Sequence, residues 1–187
     1  QRFLANECPF AKVRQLEESE QGYAPELWPK MAELGWFGMC FPEQYGGLDA
    51  DIFSTMLLME GLGYGCKDSG LIFALNGQMW TVQMPILRFG TDEMKVRYLP
   101  KLCSGELIGA NGVTEPNAGS DAFSLATTAR KEGDSYILNG TKTFCTMVST
   151  FANASMFWYA SRPTADTCRA NQLLRMSVPQ TTTMNTV

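Results

Sequence analysis

The sequence predicts an α+β protein in which an N-terminal helical bundle is followed by a partial antiparallel β-barrel domain. Up to about residue 103, apolar residues recur at the three- and four-residue spacing of amphipathic helices. Residues 127–144 instead alternate polar and apolar side chains, as half-buried strands do. We therefore place a domain boundary between Gly105 and Ile108. The predicted parts are a helical domain at 1–106, a partial β-domain at 107–162 and an irregular tail at 163–187.

Apolar stripes and capping residues place the first helices. One stripe runs from Leu27 to Leu34, and Gly35 is expected to end that helix. A second stripe begins after a capping aspartate, which is Asp49 or Asp51, and glycines are expected to break it. The second stripe comprises Ile52, Met56, Met59 and Leu62, and the breaking glycines are Gly61, Gly63 and Gly65.

The later helices are indicated by apolar content, prolines and a capping threonine. The mostly apolar stretch from Ser69 to Phe89 predicts a buried helix that is interrupted or restarts around Pro85. Thr91 begins the next helix, because its hydroxyl can cap free amides and two acids follow it, and Pro100 is expected to stop it. Side chains on apolar helix faces that we expect in the core are Met56, Met59, Met79, Trp80 and Met84.

Turn residues place the strands of the second part. Asn139 and Gly140 lie between two short β-type runs, which predicts a hairpin. The preceding turn at residues 132–134 joins another strand to this hairpin. The region is therefore predicted to be an antiparallel meander.

Composition excludes several classes of function. The net charge of -4 has no clustered basic residues, which argues against nucleic-acid binding. The chain contains no histidine. Catalytic arrangements in which a histidine activates a serine, and metal sites with histidine ligands, are therefore not expected. The six cysteines contain no Cys-x-x-Cys pair and are interpreted as reduced, mostly buried thiols. No apolar run is long enough to span a membrane and no targeting segment is visible, so we expect a cytoplasmic or mitochondrial-matrix location.

Several ordered motifs carry a resemblance to one family. Residues 112–121 (GVTEPNAGSD) closely resemble the flavin loop of acyl-CoA dehydrogenases. They are followed, at the family spacing, by residues 133–142 (GDSYILNGTK) and 144–146 (FCT). Further signatures of the family lie upstream, at residues 42–47 (PEQYGG) and 88–95 (RFGTDEMK). The resemblance covers about residues 10–160, and it implies a helical N-terminal domain and the start of a β-domain.

The flavin loop also makes physical sense without the resemblance. Pro116 stiffens a turn, and Gly119 allows backbone amides to approach a planar or anionic ligand. Glu115 and Asp121 could suggest a pair of acid–base carboxylates, but acids in turns are usually solvated or capping. We assign neither a catalytic role.

The resemblance implies that FAD is the cofactor. It implies that Val113 packs on the flavin ring, that the Thr114 hydroxyl bonds its pyrimidine side, and that the Thr146 hydroxyl donates toward N5. Ser120 is also the candidate for contacting the acyl substrate. The full set of expected cofactor-binding residues is Asn111, Val113, Thr114, Gly119, Ser120, Phe144, Cys145 and Thr146.

The chain departs from the family pattern at two of these positions. Phe144 replaces the tryptophan of the family's W-I-T segment, keeping an aromatic wall without the indole donor. Asn111 stands where many members carry an aromatic residue. Cys145 is interpreted as a buried strand residue and not as a redox thiol.

The resemblance implies α,β-dehydrogenation of an acyl thioester, carried by CoA or an acyl-carrier protein. Electrons would pass to an electron-transfer flavoprotein, and the full-length protein would be a homo-oligomer. The glutamate base of the family comes from a C-terminal helical domain that the sequence does not contain, so we assign no catalytic residue and expect a truncated chain. If this chain is complete, we expect FAD binding to be weak or absent. Whether it is an enzyme stays open; the alternatives are a non-catalytic remnant or interaction module, or a flavin monooxygenase or nitroalkane oxidase relative.

Overall fold

The computed structural model describes residues 2–19, 23–132, 135–145, 154–158 and 174–176. It divides into two compact units, Gln1–Leu107 and Ile108–Val187. The first unit holds the helices α1 (Arg2–Glu7), α2 (Phe10–Glu17), α3 (Leu27–Glu33), α4 (Ile52–Gly65), α5 (Ser69–Asn76), α6 (Met84–Phe89) and α7 (Asp92–Cys103). The second holds the strands β1 (Ile108–Gly112), β2 (Thr128–Glu132), β3 (Ser135–Asn139), β4 (Ala154–Trp158) and β5 (Leu174–Met176).

The core of the helical unit is apolar and contains two buried glutamines that tie its helices together. Gln78 donates to the backbone carbonyls of Leu102 and Leu107 at 3.3 and 3.1 Å. Gln83 donates to the Phe37 carbonyl at 3.0 Å. A buried amide is tolerated only when it is hydrogen-bonded, so these contacts also specify how the helices meet. The largest fully buried apolar side chains include Leu27, Met31, Phe37, Phe41, Leu75, Met79, Ile86, Leu99 and Leu102.

The predicted caps are confirmed. Asp51 caps α4 by accepting the Ser54 amide at 2.9 Å, and Thr91 caps α7 by accepting the Met94 amide at 3.3 Å. Gly35 follows α3 with a φ of +73°, a left-handed conformation that favours glycine. These predictions succeed because caps depend on a few neighbouring residues.

The prediction that glycines break α4 is wrong. The helix continues through Gly61 and Gly63 and ends at Gly65. A glycine inside a helix costs only about 1 kcal/mol relative to alanine, which neighbouring helical residues can offset. The Cys66 amide still donates to the Leu62 carbonyl at 2.8 Å, so the hydrogen-bond ladder runs to the end.

The predicted core positions are only partly confirmed. Met79 is fully buried, but Met56 is 44% exposed, so its placement in the core is wrong. Half-buried positions are Met59, Trp80 and Met84. Apolar residues lie on every side of α4, so its sequence does not determine which face is buried.

Of the two prolines in the later helices, Pro100 does not end a helix where the sequence predicted. The predicted interruption near Pro85 is present as a π-helical segment, Gly77–Gln83, between α5 and α6. Pro100 does not stop α7, which continues to Cys103. The carbonyl that Pro100 leaves unbonded belongs to Val96, a residue that is 66% exposed, so water can hydrate this carbonyl.

The strands of the second unit combine both pairing directions. β2 and β3 pair antiparallel, with Thr128 opposite Asn139, which confirms the hairpin whose turn we predicted at residues 132–134. β4 pairs antiparallel with β5 but parallel with β1. The prediction that the β-domain at 107–162 is antiparallel is therefore wrong at β1, because strands distant in sequence pair there.

The predicted hairpin at Asn139 and Gly140 is absent, since residues 141–145 form no strand. Gly140 is needed for close packing and not for a turn with positive φ. A Cβ atom on Gly140 would lie only 2.8 Å from the Thr127 Cα. The segment after Gly140 instead bonds to the loop that follows β1.

Candidate functional site

The loop after β1 is a tight turn. Glu115 and Ala118 exchange backbone hydrogen bonds of 2.9 and 3.1 Å, with Pro116 and Asn117 at the corner. Proline restricts the backbone at this corner, as the sequence predicts. The loop therefore has a defined shape.

A buried ion pair holds this loop from the inside. The Lys142 ammonium lies 2.8 Å from the Glu115 carboxylate, and the two side chains are 1% and 6% exposed. The carboxylate also accepts the amides of Ala126 at 2.6 Å and Thr127 at 2.9 Å, together with the Thr127 hydroxyl. The charge of Glu115 is thus fully compensated, as a buried carboxylate requires.

These contacts set the ionisation of Glu115. Burial by itself would raise the pKa of the carboxyl group, but the hydrogen bonds from Lys142, Thr127 and the two amides outweigh it and lower the pKa from 4.5 to about 2. Glu115 is therefore ionised at neutral pH and its oxygens are occupied. Glu115 is a structural carboxylate.

The segment 142–145 forms hydrogen bonds with the first residues of the loop after β1. Lys142 donates to the Val113 carbonyl at 2.9 Å, and the Thr143 amide donates to the Thr114 carbonyl at 2.9 Å. A Cβ atom on Gly112 would lie 3.5 Å from the Cys145 sulfur. The two motifs that carry the resemblance therefore form one continuous surface.

Most of the predicted cofactor-binding residues lie on this surface and are accessible. Half-buried members of the set are Asn111, Val113, Thr114 and Cys145, and exposed members are Gly119, Ser120 and Phe144. Nothing lies within 4 Å of a Cβ atom built on Gly119, so a ligand has room to approach the backbone there. Thr146 lies outside the residues that the structure describes.

Phe144 combines two unusual properties. The residue is 84% exposed, and its φ is +53°. A bulky side chain rarely adopts a left-handed backbone, and such outliers concentrate at functional sites. The exposed ring offers an aromatic surface to a planar ligand.

Cys145 and Asp121 need no chemical role. Burial raises the pKa of the Cys145 thiol, against a smaller lowering effect of Lys142, so the thiol stays protonated at neutral pH. Asp121 is exposed and accepts a hydrogen bond from the Ser124 hydroxyl.

Within the described ranges, no cluster of three or more potential metal-ligating side chains occurs. In the same ranges, no helix is long and apolar enough to cross a bilayer.

The sequence did not reveal the roles of Lys142 and Thr127. Both bind Glu115, from 27 and 12 residues away along the chain, so no helical or strand periodicity connects them. Lys142 is the last residue of the GDSYILNGTK motif, and this position in the motif was the one signal in the sequence that could have indicated its role.

The surface fits a flavin ring. It presents a hydroxyl at Thr114, open backbone at Gly119 and an aromatic ring at Phe144. The positive charge of Lys142 is compensated by Glu115, so this part of the surface suits a planar, uncharged ring system. The fit depends on residues of the loop and of segment 142–145 together.

Two protein-family profiles match the chain. The acyl-CoA dehydrogenase N-terminal domain profile matches residues 1–106, and the middle domain profile matches residues 110–186. The second match extends beyond residue 162, where the motifs of the family could no longer be followed in the sequence.

Individual relatives are about two fifths identical to the chain over the aligned residues. An L-prolyl-[peptidyl-carrier protein] dehydrogenase of Pseudomonas fluorescens is 41% identical over 68% of this chain and 34% of its own length. The mitochondrial short-chain specific acyl-CoA dehydrogenase of Bos taurus is 41% identical over 78% of this chain and 34% of its own. The chain thus spans about a third of the length of these curated relatives.

Solved structures share the fold. The prolyl acyl carrier protein oxidase AnaB superimposes with a TM-score of 0.73 at 42% identity, covering 84% of this chain and 42% of AnaB. The FAD complex of PigA gives a TM-score of 0.76 at 35% identity, covering 87% of this chain and 42% of PigA. The matched domains and the shared fold together show that the chain belongs to the acyl-CoA dehydrogenase family.

Proposed function

We propose that the chain forms the flavin-contacting part of an FAD-dependent dehydrogenase that introduces an α,β double bond into an acyl thioester. The observation that carries this proposal is the loop surface: Glu115 and Lys142 hold it from inside while Thr114, Gly119 and Phe144 remain accessible outside. A rigid, accessible surface binds a ligand without a large ordering cost.

Each residue of the surface has a separate proposed part. Val113 packs on the ring and the Thr114 hydroxyl bonds its polar edge, while Phe144 forms an aromatic wall. Thr146 donates toward N5, and Ser120 contacts the acyl substrate. When bound, FAD would supply the acceptor for the hydride that leaves the β-carbon of the substrate. The residues of this chain hold and orient the ring, and none of them is assigned the removal of the α-proton.

The substrate is proposed to be an acyl group on CoA or on a carrier protein. The names of the Pseudomonas fluorescens relative and of AnaB, which both refer to prolyl groups on carrier proteins, support the carrier-bound form. An electron-transfer flavoprotein is the proposed electron acceptor, and homo-oligomerisation is proposed for the complete protein. We also infer that 1–106 is the helical domain and that the β-domain begins at 107.

A titration of FAD with the purified chain tests the proposal. Flavin fluorescence polarisation is suited to it because it detects weak binding. We expect a saturable rise in polarisation, and Phe144→Ala should weaken the affinity roughly three- to tenfold, as the loss of one aromatic contact implies. Phe89→Ala is the matched control, because Phe89 is also exposed, at 66%, but lies in the helical unit.

Two results would contradict the proposal. Polarisation that never rises above that of free FAD would exclude flavin binding by this chain. Equal losses of affinity in the Phe144 and Phe89 variants would show that the bound flavin does not contact the loop surface.

A further inference from the structure

The dipeptide Asn-Gly occurs three times in the chain, at residues 76–77, 111–112 and 139–140. Asparagine before glycine is prone to deamidation, because glycine has no Cβ atom and its backbone nitrogen can approach the preceding side-chain amide closely. The dipeptide itself does not distinguish the three sites. Their surroundings do, because the reaction needs both an unhindered side chain and an unhindered backbone nitrogen.

The pair Asn76 and Gly77 is held at both reacting groups. The Asn76 side chain donates to the Ile72 carbonyl at 2.9 Å and accepts the indole N–H of Trp80 at 3.0 Å. The Gly77 amide donates to carbonyls of the preceding helical turn. Both groups must leave their partners before this pair can react.

The pair Asn111 and Gly112 lies within a paired strand. These residues end β1 and stand in register with Phe157 and Trp158 of the parallel strand β4. Asn111 is half-buried and Gly112 is buried. Ring closure would bend the backbone of this strand, so the pairing must first open locally.

The pair Asn139 and Gly140 lies at an exposed strand end. Asn139 is the last residue of β3, and Gly140 lies beyond the strand. Both residues are exposed. The Gly140 amide forms no backbone hydrogen bond with another described residue. Of the three pairs, this one has the reacting groups most accessible.

We propose that Asn139 is a spontaneous deamidation site, and that isoaspartate formed there loosens the loop that Glu115 and Lys142 hold. The group that is modified is the side-chain amide of Asn139, and the co-reactant is water. The site does not depend on flavin binding.

The reaction proceeds in two balanced steps. The Gly140 backbone nitrogen attacks the side-chain carbonyl carbon of Asn139, a C–N bond forms as the C–NH₂ bond breaks, and ammonia leaves with the Gly140 amide proton. Water then adds to one of the two carbonyl carbons of the resulting five-membered imide, and the ring C–N bond at that carbon breaks. Opening at the side-chain carbon gives aspartate, and opening at the backbone carbon gives isoaspartate. No electrons are transferred, and the net change is the replacement of an amide by a carboxylate.

Isoaspartate lengthens the backbone by one methylene group directly before Gly140. This position is tightly packed, because a Cβ atom on Gly140 would lie 2.8 Å from the Thr127 Cα. Thr127 donates its amide to Glu115 at 2.9 Å, and Lys142, two residues after Gly140, lies 2.8 Å from the same carboxylate. A shift of the chain at residue 140 therefore disturbs the contacts of Glu115 from both sides.

Peptide mapping of the folded chain during storage tests the site. The unmutated chain is incubated at mildly alkaline pH, digested, and analysed by electron-transfer dissociation, which distinguishes aspartate from isoaspartate. We expect Asn139 to lose its amide at least about tenfold faster than Asn76 or Asn111, because those residues must open locally first. In denaturant the three rates should converge, because the surroundings of all three sites are lost. The proposal is overturned if Asn139 reacts no faster than Asn76 or Asn111 in the folded chain, or if its advantage persists unchanged in denaturant.

Denaturant titration of the stored chain tests the consequence. The fraction of the chain that carries isoaspartate should unfold at a lower denaturant concentration than the fresh chain. Asn139→Gln, whose longer side chain does not form the five-membered ring readily, should keep its midpoint over the same incubation. Asn139→Asp carries the new charge without the longer backbone and should unfold near the fresh chain. An isoaspartate form as stable as the fresh chain, or an Asn139→Asp variant as unstable as the isoaspartate form, would overturn the proposed effect on the loop.

Discussion

At the scale of residues, Glu115 and Lys142 connect the two motifs that identify the family. Each side chain is nearly inaccessible to water, and their charged atoms are 2.8 Å apart. Breaking a buried ion pair by removing one partner leaves an uncompensated charge, which destabilises far more than the pair stabilises. The pair is therefore sensitive to single substitutions.

Lys142→Met should lower the free energy of unfolding by about 3 to 5 kcal/mol, because Glu115 loses its counter-ion while staying buried. Denaturant titration followed by circular dichroism measures the change. Lys101→Met is the control, since Lys101 pairs with Glu106 at 3.2 Å on the surface, with side chains 55% and 65% exposed. The control should change the stability by less than about 1 kcal/mol. Similar losses in both variants would contradict the structural role of Lys142.

The low pKa of Glu115 predicts an acid-labile loop. The pKa of the folded state is about 2 against an ordinary value of 4.5, so the stabilisation is fully present above pH 4.5 and is lost as the pH falls toward 2. Denaturant titrations across this range should show a smaller loss of stability for Glu115→Gln, which cannot titrate, than for the unmodified chain. Parallel pH profiles for the two proteins would show that Glu115 does not carry this charge effect.

At the scale of elements, local signals in the sequence predicted where helices begin more reliably than they predicted which helix faces are buried. The caps Asp51 and Thr91 depend on contacts within three residues, and both are present. The face that α4 buries depends on the rest of the unit, and Met56 is exposed against expectation. The contact of Gly140 with Thr127 likewise joins distant residues, so it could not be inferred from the Asn-Gly turn signal.

Two glycines in different elements should respond oppositely to alanine. Gly63 lies within α4 with nothing inside 4 Å of an added Cβ atom, so Gly63→Ala should raise the free energy of unfolding by about 0.5 to 1 kcal/mol. Gly140 follows β3, and its added Cβ atom would crowd Thr127, so Gly140→Ala should lower it by about 1 to 3 kcal/mol. Thermal unfolding of both variants measures the effects, and changes of the same sign would contradict this account of Gly140.

At the scale of the whole molecule, the sequence motifs predicted the family but not the contacts that hold the loop surface together. Residues 111–120 and 142–145 are brought side by side, as the shared surface requires. The parallel pairing of β1 with β4 was not predicted, because residues 40 or more positions apart must meet, from Ile108 opposite Ala154 to Gly112 opposite Trp158. The predicted contact of Thr146 lies outside the described residues and stays a prediction.

The central claim is that the loop held by Glu115 and Lys142 is where this chain contacts FAD. Hydrogen–deuterium exchange of the chain with and without saturating FAD tests it most directly, because the measurement locates the bound ligand along the sequence. We predict slower exchange in peptides covering residues 111–120 and 142–145, with no change in peptides covering α3. Protection confined to the helical unit, or exchange that FAD leaves unchanged throughout, would contradict the claim.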